Sequence, residues 1–330
     1  MIILKVFEIF KNMFLLILKR LGLGLITIML VSIIIFVGVE VLPGDACTAF
    51  LEREAKGELL QICKEKLGLN TPAIERYLMW SYNALNGDLG YSLSGQKPIS
   101  EILSIRIRNS LVLAFTAIII GIPLALLLGI ITALWRDKLP DILISTFAIF
   151  SMTIPEFISA TILILVVAIW LDWLPGIVIV SSNTSVLELL PNIILPVIAI
   201  SMVMTAHMLR MVRSNIIQVM ASDYVQMAKL KGVPYWKMVF VHVLPNGLLP
   251  AINIIALTIA WLLGGVVVTE VVFNYPGLGR LVIESISDRD LPVVQALALI
   301  LALIYVGVNL TADMLTLFVN PRLRTLQIRK

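Results

Sequence analysis

The chain has 330 residues, 59% of them hydrophobic and only 14% charged, with a mean hydropathy of +1.01, whereas soluble domains carry about a quarter charged residues. This composition excludes a water-soluble enzyme and identifies an integral membrane protein. The net charge of +4 comes from basic residues flanking apolar runs, which is a matter of membrane orientation and gives no reason to invoke nucleic acid.

In residues 1–20, Lys5, Glu8, Asn12 and Lys19 fall near one face of a helix whose other faces carry Ile2, Ile3, Val6, Phe7, Phe10 and Phe14. That pattern suits a helix lying in the cytoplasmic interface; an extension of the first span fits equally well. Six apolar runs follow, at about Leu21 to Val41, Ser110 to Leu134, Ile142 to Leu171, Pro191 to Leu209, Gly247 to Val272 and Val293 to Phe318. Each is near the roughly 20 residues a span requires. They are continuous rather than alternating, so helices and not a barrel satisfy the backbone in lipid. The expected fold is all-α and polytopic: a first span (21–42), an outer helical subdomain (43–109), a five-helix core (110–318) with a loop at 213–246, and a basic tail (319–330). The first run is too long for a secretory signal, and "LPGDACTAF" is a poor cleavage site, so it is read as a retained span.

Lys19 and Arg20, then Arg136 and Lys138, then Arg210, Arg213, Lys229, Lys231 and Lys237, then Arg322, Arg324, Arg329 and Lys330 all fall on one side of this topology. The positive-inside rule makes that side cytoplasmic, with both termini there. In the outer segment, Thr71 and Pro72 suit a helix start and Asn86-Gly87 an end. Leu59, Cys63 and Leu67 repeat like one face of another helix. Cys47 and Cys63 are the two cysteines, placed on the oxidising side. A bond between them would be worth about 3 kcal/mol in the chain-entropy model. A helix starting at Leu51 would carry Cys63 about 18 Å along its axis, out of reach; a break at Gly57 with a start near Glu58 makes the bridge feasible.

The third, fifth and sixth runs hold Glu156, Glu270 and Asp313. Ionisable groups at such depth default to functional candidates, here for a polar pathway, although Glu270 could cap an interface and Asp313 could bond a neighbouring helix. Gly121, Pro123 and Gly129, Pro155, Pro191 and Pro196, and Gly264-Gly265 allow close packing or bending. His207 and His242 have no Cys or Asp ligands beside them and read as interfacial hydrogen-bonding groups. No G-x-x-x-x-G-K-[ST], H-E-x-x-H, G-x-S-x-G or C-x-x-C occurs, so neither nucleotide binding by a phosphate loop nor a familiar hydrolytic site is encoded here.

Between the fourth and fifth runs lies "SDYVQMAKLKGVPYWKMVFVHVLPN", Ser222 to Asn246. Ser222 or Asp223 can cap a helix, Gly232 and Pro234 stop it, and a second helix starts near Tyr235. Tyr224, Ala228 and Lys231-Gly232, followed by "HVLPNGLLP", resemble the EAA loop of ABC importer permeases. "LPGDA", "LGLNTP", "NGDLGYS", "VVFNYPGLGRL", "RDLPVVQ" and "NPRLR", in that order, resemble the dipeptide/oligopeptide/nickel branch. Ala46, Lys229 and Asn320 depart from the family's usual Pro, Arg and Asp. Lys229 keeps the charge but not the bidentate fork.

The resemblance implies a type I ABC importer transmembrane fold without catalytic, cofactor or metal residues, in a subunit that is not an enzyme. Asp223, Tyr224, Ala228, Lys229, Lys231 and Gly232 would then form a coupling helix on a partner ATPase. It further implies a second homologous permease, two ATP-binding subunits that hold ATP and Mg, a periplasmic substrate-binding protein facing residues 43–109, and the bacterial inner membrane. The rival expectations are an ion-coupled secondary transporter using Glu156 or Asp313, and a membrane enzyme. The sequence does not select among dipeptide, oligopeptide, modified peptide, glycoside and metal chelate as cargo.

Overall fold

The computed structural model describes the backbone of residues 2–41, 44–51, 56–179, 184–263 and 266–319. These residues are helical apart from turns and one isolated antiparallel bridge between Tyr91 and Pro98. Among the described residues, four helices are long and apolar enough to cross a bilayer unaided: Ile17–Glu40 of α1 (Ile2–Glu40), α5 (Ile99–Leu134), α9 (Ile194–Met220) and Leu291–Thr311 of α16 (Leu291–Val319). Two bent pairs bring the total to six if each is one span. α6 (Leu139–Thr153) meets the segment Glu156–Trp170, which opens as α7 (Glu156–Leu163), at 107°, and Tyr235–Gly247 meets Leu249–Ile259 of α13 (Leu249–Leu263) at 45°.

Several expected boundaries move. α1 is unbroken from Ile2, so the N-terminal segment continues the first span; the side chains of Lys5, Glu8 and Asn12 lie outside the described residues. The second span starts at Ile99 rather than Ser110, because Pro98 sets up the helix and Arg106, which interrupts the apolar run, is paired with Glu284 at 2.8 Å. At 36 residues and ~1.5 Å rise per residue, α5 outreaches a bilayer core of about 30 Å. The third run is two helices because Pro155 has no N–H to donate and forces Ile154 into an extended conformation (ψ 128°). Pro191 falls in α8 (Val186–Asn192), whose start carries a reciprocal Ser185/Glu188 capping box, and the fourth span runs on to Met220.

α9 is the axis of the bundle: its most apolar window is 61% buried, against 28% for α5 and α16 and 11% for α1. α5 lies flush on it because glycine leaves no side chain at the contact; a Cβ on Gly129 would stand 2.7 Å from Val212, and one on Gly121 would overlap Met204. Two apolar clusters line α9. One, around Leu113, Ile200, Phe273 and Tyr275, fills one end; the other, around Met208, Val212, Ile216, Val225 and Met238, fills the other.

The first cluster's end also carries α2 (Ala46–Leu51), α3 (Gly57–Lys66) and α4 (Ala73–Leu85). Gly57 adopts φ +63° and opens α3, which brings Cys47 and Cys63 together in a disulfide with Cα atoms 5.9 Å apart. Thr71 does not cap α4: its hydroxyl donates to Gly68 O, and Pro72 is the residue before the first turn. α4 is pinned to α1 by a Tyr77–Ser32 hydroxyl bond of 2.8 Å and by the Arg76–Glu40 ion pair.

Candidate coupling surface and pathway residues

At the far end of α9 the chain turns at Ser222 into α10 (Asp223–Leu230). The Ser222 hydroxyl does not cap α10; it donates back to Val219 O at 2.5 Å. Gly232, at φ +75°, ends the helix, with Gly232 N–H bonded to Lys229 O and Val233 N–H to Ala228 O, the closure that a left-handed residue after a helix permits. A Cβ on Gly232 would meet nothing within 4 Å, so backbone conformation rather than space requires glycine there. Pro234 then opens α11 (Tyr235–Met238), which continues through Val239–Val243 into α12 (Leu244–Gly247).

The two faces of α10 differ sharply. Val225 is buried and, with Ala228 and Val233, packs against Val219, Met220 and Met238. Tyr224, Met227 and Leu230, three residues apart, are 46%, 56% and 81% exposed. Asp223, Lys229, Lys231 and Gly232 are exposed as well, while Ala228 is half-buried and turned into the bundle. Met227 and Leu230 were not among the sequence candidates, although their spacing marks an apolar stripe. Tyr235, Trp236 and Phe240 extend this exposed surface as a ring cluster with centroids 5.4 and 6.0 Å apart.

This platform is braced. Arg213 grips Asp141 with two 2.7 Å bonds, from Nε to Oδ1 and from Nη2 to Oδ2, while Asp137 N and Ser145 Oγ also donate to the same carboxylate. The turn between α5 and α6 is thereby locked to α9 about two turns before that helix ends. Gly247 presses on Ile216, where a Cβ would stand 3.1 Å from Cγ1.

The intramembrane acids separate. Glu270, in α14 (Val267–Val272), is 1% exposed. Its Oε1 accepts from Ser110 Oγ at 2.6 Å and its Oε2 from Arg280 N at 3.0 Å, and Ser110 Oγ accepts in turn from Leu278 N. Gly277 and Gly279 lie flush on the carboxylate; a Cβ on Gly279 would stand 2.6 Å from Val267 Cα. Tyr275 donates to Asn109 O and Asn109 to Pro276 O, so "NYPGLGR" is a clasp holding α14 and α15 (Leu278–Ser287) onto α5. In this structure Glu270 is engaged as an anchor between α14, α15 and α5, buried rather than facing a cavity. Glu156 opens α7 at the elbow of the third span, half-buried, and accepts from Thr269 Oγ1. Adjacent residues of α14 thus hold both the elbow and the clasp. Asp313 belongs to α16, but its side chain lies outside the described residues, as do Gly264-Gly265 and the tail from Asn320. An apolar groove of about 290 Å³ runs between α5, α6 and α9 past Phe147, Ser151, Ser201 and Leu209.

Among the described residues, up to six potential spans, two of them bent, and a braced amphipathic helix leaving the bundle after α9 describe a polytopic membrane subunit with an exposed helix at one end. The comparisons agree. Residues 125–325 match the binding-protein-dependent transport system inner membrane component, and residues 13–114 match the N-terminal membrane component of the same systems. The glutathione transport system permease proteins GsiC of Escherichia coli O6:H1 (strain CFT073) and E. coli K12 are each 34% identical over 309 residues, covering 93% of this chain and 98% of theirs. That of Shigella flexneri serotype 5b (strain 8401) is similar to the same extent. The chain belongs to the inner-membrane permease family of ABC importers, in the peptide/nickel branch.

Proposed function

We propose that this permease forms half of a pathway for small peptide-like solutes, pairs with a second homologous permease, and receives its driving force from two ATP-binding subunits docked on residues 222–233. The observation that carries this reading is the division of α10 into a buried face fixed to α9 and an exposed face of Tyr224, Met227 and Leu230 beside Asp223, Lys229 and Lys231. An amphipathic helix laid in a partner's groove uses anchors at this spacing, and its rigid root on α9 lets a push travel into the spans. ATP and Mg are held by the partner subunits, and a separate binding protein delivers the solute. The peptide-like cargo follows the relatives, which are named for glutathione transport.

Orientation has two independent supports. Arg136, Lys138, Lys229, Lys231 and Lys237 cluster at the α10 end, which the positive-inside rule makes cytoplasmic. The Cys47–Cys63 bond lies at the opposite end, as an oxidising compartment requires.

The test uses the assembled importer in proteoliposomes. Both native cysteines are bonded, so Leu230→Cys adds a single thiol; it should crosslink to an ATP-binding subunit, and uptake of glutathione or dipeptides should require ATP. Uptake that persists without the ATP-binding subunits and follows an ion gradient would end this reading.

A further inference from the structure

α9 is the most buried span, yet one stripe of it is exposed and mostly polar: His207, Arg210, Ser214 and Gln218, with Met211 as the apolar residue among them. Their spacing of three, four and four residues puts them on a single helix face. A face turned to lipid would be apolar, and ionisable groups in spans look to a bundle interior or a water-filled cavity. Arg213, beside the stripe, is not available, being neutralised by Asp141. Arg210, one turn away, is different. Among the described residues, its only hydrogen-bond acceptor is the Met152 thioether, at 3.7 Å, and sulfur is a weak acceptor.

The direction of the side chain matters. Arg210 lies ten residues before the end of α9, about 15 Å at 1.5 Å per residue, and Met152 lies thirteen residues into α6, about 20 Å from its start. Arg210 therefore does not snorkel toward the α10 end of the bundle, as a lipid-facing arginine near an interface does. It points to the elbow of the third span, two residues from the Ile154-Pro155 break. Glu156, just beyond that break, is engaged by Thr269. A guanidinium presents a planar fork of donors that matches a carboxylate.

We propose that Arg210 is the pathway residue that binds the carboxylate of the transported solute, with the polar stripe of α9 as the wall along which that group passes. The inference rests on the permease reading and adds to it a substrate chemistry, that of a carboxylate anion.

The assembled importer, with its binding protein, is tested on a mixture of di- and tripeptides that includes glutathione. Arg210→Gln should lower ATP-driven uptake at least tenfold and Arg210→Lys clearly less, with unfolding temperature and basal ATP hydrolysis unchanged in both. Those of the peptides whose only carboxylate is the C-terminal one, which excludes glutathione, should lose nothing in Arg210→Gln once that terminus is amidated, at whatever rate the wild type sustains. Arg210→Cys, the single free thiol, should react with a water-soluble sulfonate thiosulfonate reagent. Reaction only with a lipid-soluble maleimide would assign Arg210 to the bilayer and overturn the proposal, as would wild-type uptake by Arg210→Gln, equal losses for both peptide sets, or a lowered unfolding temperature. No ATP-driven uptake by the wild-type assembly would instead overturn the permease reading, and this proposal with it.

Discussion

Two turns of this molecule join short helices to long ones, at opposite ends of the bundle. The clasp at residues 270–284 is closed: Glu270, Tyr275 and Leu278 are at most 1% exposed, and its polar groups bond to Ser110, Asn109 and Arg106 of α5. The loop at residues 222–240 is closed on one side only, with large apolar side chains left in the open on the other. Burying and pairing polar groups makes a rigid joint, since a low-dielectric surround strengthens each bond and makes each unmade one costly. Leaving apolar surface exposed beside charges makes a docking face, since a partner gains by covering it. On the proposed function, the two turns divide the work of holding the bundle and receiving force.

If that contrast is right, damage to the clasp appears as instability and damage to the loop as lost coupling. The largest expected effect is Gly279→Ala, whose methyl would press on Val267 Cα at 2.6 Å; it should cost roughly 1–3 kcal/mol by overpacking, read as a lowered unfolding temperature in detergent. Asp141→Asn should cost about 2 kcal/mol, less than a fully buried broken pair because Arg213 is 28% exposed; tryptic cleavage between α5 and α6 should quicken. Gly232→Ala, at φ +75°, should cost about 1 kcal/mol, confined to the loop, so that uptake falls with little change in unfolding temperature. Leu230→Ala sharpens the comparison further: its effect on unfolding should stay within about 0.5 kcal/mol, as for surface sites, while ATP-driven uptake drops several-fold.

The smallest effect tests the disulfide end by pH. At Asp45, burial raises the carboxyl pKa, but the Lys64 ion pair at 2.7 Å and the bonds from Thr48 outweigh it, so the value lies below its ordinary 3.8. A depressed acid adds stability above its unfolded pKa and loses it as pH falls through the folded one. Protection of residues 44–67 from hydrogen exchange should therefore weaken only as pH drops below about 4, and Asp45→Asn should remove that dependence.

Much of this was readable in order along the chain. The apolar runs located the long helices and the two bent pairs to within a few turns because a bilayer demands an extended greasy stretch of each. Gly232 and Pro234 announced the break after α10, and Gly57 the condition under which Cys47 reaches Cys63. What was not readable concerns partners far apart in the chain. Ser110 looked like the start of a span, yet it is a mid-helix hydroxyl buttoned to Glu270. Glu270 looked like a pathway acid because a sequence shows that a carboxylate is in the membrane without showing what it bonds. Arg210 was grouped with the cytoplasmic lysines and arginines because counting positive charges ignores the direction of a side chain.

By itself, then, the order of residues determined the class of protein, the approximate position of the apolar helices, and the exposed helix α10 with its stop, because solvent, backbone pairing and local conformation act over a few residues at a time. The tertiary structure alone decided which polar groups in the bilayer are spent on one another and which are left over. That choice depends on whether groups such as Glu270 and Ser110, 160 residues apart, come within hydrogen-bonding reach, and only the packed bundle sets such distances.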